Sequence, residues 1–162
     1  VLGNTYDSQV CSIARALELV GERWSLLIIR DALFAGVTRF GDFQHNLGIA
    51  SNVLASRLDA FVEHGIMRRD DTADYVLTDK GRALEVALIA LTEWGDQWAS
   101  PIEPPIVYRH AGHEHTGQEH SVHAAAMCEQ CGPIAADDIT AALGPGMPAD
   151  YLANRRGGTR AG

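Results

Sequence analysis

Apolar positions recur at helical spacing through the first hundred residues of this chain. From Val10 to Val20, Cys11, Ala14, Leu17 and Val20 fall on one stripe, and Gly21 ends the segment. A second helix is expected over about Arg23 to Phe34, with Trp24, Leu27, Ile28 and Leu33 on one side, broken by Gly36. A short third helix from about Arg39 sets Phe40, Phe43 and Leu47 on one face, and Gly48 stands where a left-handed cap stops a helix. The fourth runs from about Ser51 to Glu63 or His64 with Leu54, Leu58, Phe61 and Val62 as its stripe, closed by Gly65. Ile66 to Arg69 and Tyr75 to Thr78 alternate as strands about a tip of Asp70, Asp71, Thr72, Ala73 and Asp74. Thr78 then caps a last long helix carrying Leu84, Leu88, Leu91, Trp94 and Trp98.

The third helix, a four-residue turn and the fourth helix make a helix-turn-helix unit. The second helix of such a unit packs one face on the core and keeps the opposite face slim enough to enter a major groove about 12 Å wide. At the start of the fourth helix, Ser51, Asn52, Ala55 and Ser56 meet that requirement. Asn52 has the donor and acceptor for a bidentate pair with adenine. Arg68 and Arg69, at the base of the hairpin, are placed to touch backbone phosphates, which position a protein without reading sequence. Two plainer readings compete: a face of small polar residues is commonly just solvated surface, and Arg57 suits either a phosphate or a neighbouring acid. The fold expected is mainly α with a small β-hairpin wing, a winged helix-turn-helix, plus a small C-terminal ribbon-like extension.

The residues also carry a family likeness. Cys11-Ser12-Ile13-Ala14-Arg15-Ala16-Leu17 and Gly21-Glu22-Arg23-Trp24-Ser25-Leu26-Leu27-Ile28-Ile29-Arg30-Asp31 open it. Arg39-Phe40, Gly48-Ile49-Ala50, Leu54, Arg57-Leu58 and Gly65-Ile66 continue it. Tyr75-Val76-Leu77-Thr78-Asp79-Lys80-Gly81-Arg82 and Trp94-Gly95-Asp96 complete it. Over this stretch, more than half the chain, the sequence resembles the HxlR family of bacterial winged-helix regulators, relatives of the MarR group. The resemblance implies a transcriptional regulator, a homodimer formed by the N-terminal helix and the long helix after the wing, whose two recognition helices bind a pseudo-palindromic operator in double-stranded DNA. It also marks Arg39, Arg57, Arg68 and Arg69 as DNA contacts. The acidic wing tip departs from that picture, so contact is expected through the base of the wing.

Charge alone does not suggest DNA. The chain carries a formal net charge of −8, which repels a duplex at long range. Between residues 37 and 69, however, Arg39, Arg57, Arg68 and Arg69 outnumber Asp42, Asp59 and Glu63. The composition, 46% hydrophobic and 21% charged, is that of an ordinary globular chain. Its apolar runs fall far short of the roughly 20 residues of a membrane span. The start of the chain lacks the basic and apolar regions of a secretory signal. With 3 cysteines, an odd number, the expectation is a reducing, cytoplasmic setting.

Composition shifts near residue 100, which suggests a winged-helix and dimerisation domain over 1–100 and a Pro/His-rich extension over 101–162. His110 and His113 form a His-x2-His pair, and Cys128 and Cys131 a Cys-x2-Cys pair. Two such pairs supply the four ligands of a tetrahedral structural zinc, with His115, His120 and His123 competing for the same role. Some members of the resembled family carry an additional cysteine in a ribbon-like tail, and that cysteine is missing here. The alternative is a His-rich loop beside an unligated Cys pair. Arg155, Arg156 and Arg160 read as a frayed tail or a basic arm on DNA. Cys11 is a redox-sensor candidate, since a cysteine near this position is a switch in some relatives; the alternative is a small buried hydrophobe. Catalysis is not expected. The competing classes are a winged-helix protein-interaction module without DNA binding, favoured by the acidic total, and a zinc sensor or enzyme built on the His/Cys cluster.

Overall fold

The computed structural model describes residues 5–7, 9–99, 102–111 and 119–148. His113, His115 and the tail arginines Arg155, Arg156 and Arg160 lie outside the described residues. The chain forms two compact units, Val1–Ala124 and Ala125–Gly162.

The first unit begins with α1 (Ser12–Val20), α2 (Ser25–Phe34), α3 (Phe40–Leu47) and α4 (Ser51–Glu63). A hairpin of β1 (Met67–Arg69) and β2 (Tyr75–Leu77) follows, then α5 (Asp79–Arg82) and α6 (Glu85–Trp98). A second hairpin, β3 (Arg109–Ala111) with β4 (Glu119–Ser121), ends it. The order of helices and first hairpin is that of a winged helix-turn-helix, with Met67 paired to Leu77 and Arg69 to Tyr75 across the wing. The second unit holds β5 (Ala126–Cys128) paired with β6 (Gly132–Ile134) and a short 3-10 turn, Ala136–Asp138.

The core of the first unit gathers one face each of α1 to α4, the wing and α6. Ile28 and Ile29 of α2, Phe43 of α3, Leu54, Leu58 and Phe61 of α4, and Ile66 and Met67 at the wing are essentially sealed from solvent. Each buried side chain of this size contributes about 1.5–3 kcal/mol. Gly48 adopts φ +60° and its N–H bonds to the Gln44 carbonyl, ending α3 with the left-handed cap the sequence predicts. That residue sets the turn between α3 and α4.

Four sequence expectations are revised. Cys11 is the exposed, extended cap residue before α1, off the buried stripe, of which Ala14 and Val20 are the buried members. Val62 keeps 37% of its surface, so the α4 stripe narrows to Leu54, Leu58 and Phe61. The single long helix after Thr78 is two: the Thr78 hydroxyl accepts from the Gly81 N–H and donates to the Gly65 carbonyl at 2.6 Å. Those bonds tie the one-turn α5 to the wing, and α6 restarts at Glu85. Along α6 only Leu88 and Ile89 are buried, while Leu91, Trp94 and Trp98 stand 51%, 61% and 68% exposed. Apolar periodicity marks a face for burial without saying whether this chain or another molecule covers it.

Composition and packing also divide the chain at different places. The chain between 101 and 124 belongs to the first unit, where Tyr108 lies against Phe34 with ring centroids 4.5 Å apart. In addition, His123 pairs with Glu93 of α6 at 2.6 Å. The division falls between Ala124 and Ala125, not at the composition change near residue 100.

Candidate nucleic-acid interface

α4 has two opposed faces. Leu54 and Leu58 are fully buried and Phe61 nearly so, which fixes the helix against α3 and the wing. The opposite side of its first turns presents Ser51, Asn52 and Ser56 to solvent, with Ala55 half-buried between them. None is bulkier than asparagine, so this end of the helix is narrow. Ala50 caps it in extended conformation, with no side-chain capping bond. The amide protons of the first turn therefore point outward along the axis with the positive end of the helix dipole.

The arginines named from sequence divide by their partners. Arg39, at the cap of α3, is 75% exposed and loosely paired with Asp74 at 3.7 Å. Arg68 is exposed on the wing, opposite Val76. Arg69 is anchored: its guanidinium lies over the Tyr75 ring at 4.2 Å, donates to the Tyr75 hydroxyl and donates to the Ala73 carbonyl at 3.2 Å. Arg57 is half-buried and pairs with Glu22 at 3.7 Å. Of the two roles Arg57 suits, pairing with a neighbouring acid has a visible partner in the structure.

The acidic tip explains itself locally. Asp70 accepts at one oxygen from the Thr72 hydroxyl at 2.8 Å and from the backbone N–H groups of Thr72 and Asp74, both at 2.9 Å. Asp74 takes a bond from the Thr38 hydroxyl at 2.9 Å, and the Thr38 carbonyl accepts from the Tyr75 N–H at 2.8 Å. The carboxylates thus knit the tip to itself and to the loop before α3, and Ala73 is held at φ +64°. The Thr72 hydroxyl, helped by those N–H groups and the charge of Arg68, holds the Asp70 carboxyl below its ordinary value of 3.8. A depressed value means the tip's order is present above 3.8 and lost as pH falls through the folded-state value. The Thr72 and Asp74 amide NMR shifts are therefore expected to titrate together with a midpoint below 3.8, and Asp70→Ala to produce the low-pH shifts at neutral pH. A midpoint at or above 3.8 contradicts this wiring.

Comparison with known proteins places the arrangement. The HxlR-like helix-turn-helix family model matches residues 19–103, from the end of α1 through α6. This chain belongs to that family. An uncharacterised HTH-type transcriptional regulator of Mycobacterium bovis, Mb3122, is 44% identical over 146 residues, 85% of this chain and 89% of the relative. YodB of Bacillus subtilis, an HTH-type transcriptional regulator, is 32% identical over 107 residues, 62% of this chain and 92% of the relative. Among solved structures, PA1607, a candidate transcription factor, superposes with TM-score 0.65 at 38% identity over 85% of this chain and 97% of its own. PA1374 of Pseudomonas aeruginosa, another candidate transcription factor, gives 0.56 at 34% identity over 85% and 95%. The HxlR-like assignment makes this a transcriptional regulator with a helix-turn-helix domain.

The sensor candidates of the HxlR-like chain fall on other elements than α4. Cys11 sits at the N-terminal end of α1; nearby, Arg15 pairs with Glu18 at 2.9 Å and donates to the Tyr6 and Gln9 carbonyls. Of the zinc-ligand candidates, His110 lies on β3 in register with His120. Cys128 and Cys131 flank the β5–β6 turn, in the other unit. Backbone N–H groups of Gln130 and Cys131, and the Cys131 side chain, pull the Cys128 thiol below its ordinary value. That turn fits two thiolate ligands, but among the described residues no group of three or more His, Cys, Asp or Glu is placed to hold a metal. Nor is any helix among them long and apolar enough to cross a membrane. What the sequence did not reveal is the set Glu93, Tyr108 and His123, which the β3–β4 hairpin assembles against α6. The alternation around Tyr108 to Ala111 and Glu119 to Val122 was the available signal, hidden by histidine-rich composition.

Proposed function

We propose that this HxlR-like protein is a homodimer that binds a pseudo-palindromic site in double-stranded DNA and regulates transcription from it. The observation that carries the reading is the division of α4, with Leu54, Leu58 and Phe61 sealed in the core and Ser51, Asn52 and Ser56 exposed on the other side. Asn52 reads an adenine edge, and the small serines let the helix sit deep in the groove. Arg39 and Arg68 take phosphates on either side. Arg57 and Arg69, already paired within the chain, contribute less.

The dimer reading is supported by a second surface. Val86, Leu91, Trp94 and Trp98 share one broad face of α6 and are 64%, 51%, 61% and 68% exposed. Ile13 and Leu17 of α1 add a further apolar face, 69% and 43% exposed. A second copy related by a two-fold axis covers such surfaces symmetrically and sets two recognition helices about 34 Å apart.

The test is a pair of variants in a salt-dependent binding assay. Arg68→Ala is expected to weaken binding alike for all sequences and to lower the salt slope by about 0.9. Asn52→Ala is expected to cost roughly 1–3 kcal/mol at one base-pair position of each half-site. An unchanged slope removes the wing from the contact surface. Sequence preference that survives Asn52→Ala at every position overturns the readout by α4.

A further inference from the structure

α6 has a second working face, turned away from the exposed tryptophans. There Thr92, Glu93 and Asp96 form one wall of a cavity of about 370 Å³. The segment ending at Tyr108 and the chain leaving β4, with Val122 and His123, form the other wall. The volume falls in the range of pockets that take small organic molecules. Ile106 and Val107 give the cavity an apolar side and remain 50% and 58% exposed. Apolar side chains left wet beside a concave surface gain from any occupant that dries them.

The polar groups are few and held in fixed orientation. The Thr92 hydroxyl donates to the Leu88 carbonyl at 2.9 Å. Its single proton is spent there, so the 3.1 Å contact with Tyr108 must have the phenol donating to Thr92. The phenol oxygen is thereby left as an acceptor. Glu93 is clamped at both oxygens, by His123 Nδ1 at 2.6 Å and by the Ala124 N–H at 3.1 Å. A carboxylate has about four lone-pair sites, so two bonds orient it without exhausting it. Asp96 stands one turn further along the same wall. Among the described lining residues there is no lysine or arginine, and His123 sets at most one positive charge against two carboxylates.

An apolar wall facing two carboxylates and a phenol acceptor, with an excess of negative charge, selects one class of ligand. We infer that this cavity is a binding site for an apolar organic cation: a protonated amine on an aromatic or alicyclic body. Its ammonium group donates to Glu93, Asp96 and the Tyr108 oxygen, while its ring covers Ile106, Val107 and Val122. An anion of the same shape meets repulsion from the same groups, and a neutral analogue forgoes the charge-assisted bonds. The site lies apart from α4, and its existence is independent of the DNA reading.

Equilibrium dialysis of the full chain against three probes of one shape tests it: 1-naphthylmethylammonium, 1-naphthalenemethanol and 1-naphthoate. The expected result is one saturable site per chain, with the cation held about tenfold more tightly than the alcohol and the anion weakest. Glu93→Gln and Asp96→Asn should each remove most of the cation's advantage and leave the alcohol unchanged. Val122→Trp should fill the space and abolish saturable binding of all three. Circular dichroism and thermal melting establish that each variant is folded, and should Val122→Trp fail to fold, the two carboxylate variants decide. Absence of a saturable site in the parent protein overturns the inference. So does naphthoate binding as tightly as the cation, or cation preference that persists in both carboxylate variants.

Discussion

Replacing Trp94 with glutamate is expected to convert the proposed dimer to a monomer at micromolar concentration. Trp94 is 61% exposed in the single chain, beside Leu91 and Trp98 on the same face of α6. A side chain of this size, covered by a partner, contributes about 1.5–3 kcal/mol, and a two-fold dimer loses it twice. The total, about 3–6 kcal/mol, corresponds to a roughly 10²- to 10⁴-fold weaker dimer. Because the site is exposed within one chain, the thermal stability of the monomer should change little. Sedimentation equilibrium reads the outcome, and an unchanged molar mass places the dimer surface elsewhere. Loss of the dimer should also remove tight DNA binding, since a single recognition helix gives up the avidity of two linked half-sites.

Gly81→Ala is expected to destabilise the fold markedly. A Cβ at this position lies 2.3 Å from the Ile66 carbonyl oxygen and 2.7 Å from Leu77 Cδ2. The leucine tip can turn, but the carbonyl is backbone at the start of the wing and also accepts from the Thr78 N–H at 3.0 Å. Relief requires α5 to lift off the hairpin. Overpacking of this kind costs roughly 1–3 kcal/mol, with backbone clashes at the upper end. For a chain of this size that lowers the thermal midpoint by roughly 5–10 °C. Gly41, inside α3, meets nothing within 4 Å and has no left-handed backbone. Gly41→Ala is therefore expected to stabilise by about 0.4–1 kcal/mol. Equal effects from the two substitutions contradict the close approach of α5 to the wing.

Much of this architecture is written locally. The breaks at Gly36, Gly48 and Gly65 coincide with left-handed backbone. The α4 pattern places Leu54, Leu58 and Phe61 inside and Ser51, Asn52 and Ser56 outside, but misses that Val62 is exposed. Thr78 was legible as a cap, but its hydroxyl also bonds across the chain to the Gly65 and Ile66 carbonyls. That distant tie fixes the start of α5 against the wing, and no local pattern encodes it. For the same reason, periodicity gave the α6 stripe without revealing that Trp94 and Trp98 face outward. The arginines show a further limit: sequence places Arg57 and Arg69 near the recognition helix, but only geometry reveals that Glu22 and Tyr75 engage them. The Glu93–His123 pair joins residues 30 apart and left no mark in spacing.

Selection of bound fragments from a random double-stranded DNA pool at low salt, with the 162-residue chain, puts symmetric reading of DNA by α4 to the test. The expected result is enrichment of an inverted repeat whose half-site centres lie one helical turn apart, about 34 Å. Failure to enrich any sequence, or enrichment of a single unrepeated element, contradicts a symmetric pair of α4 helices reading DNA.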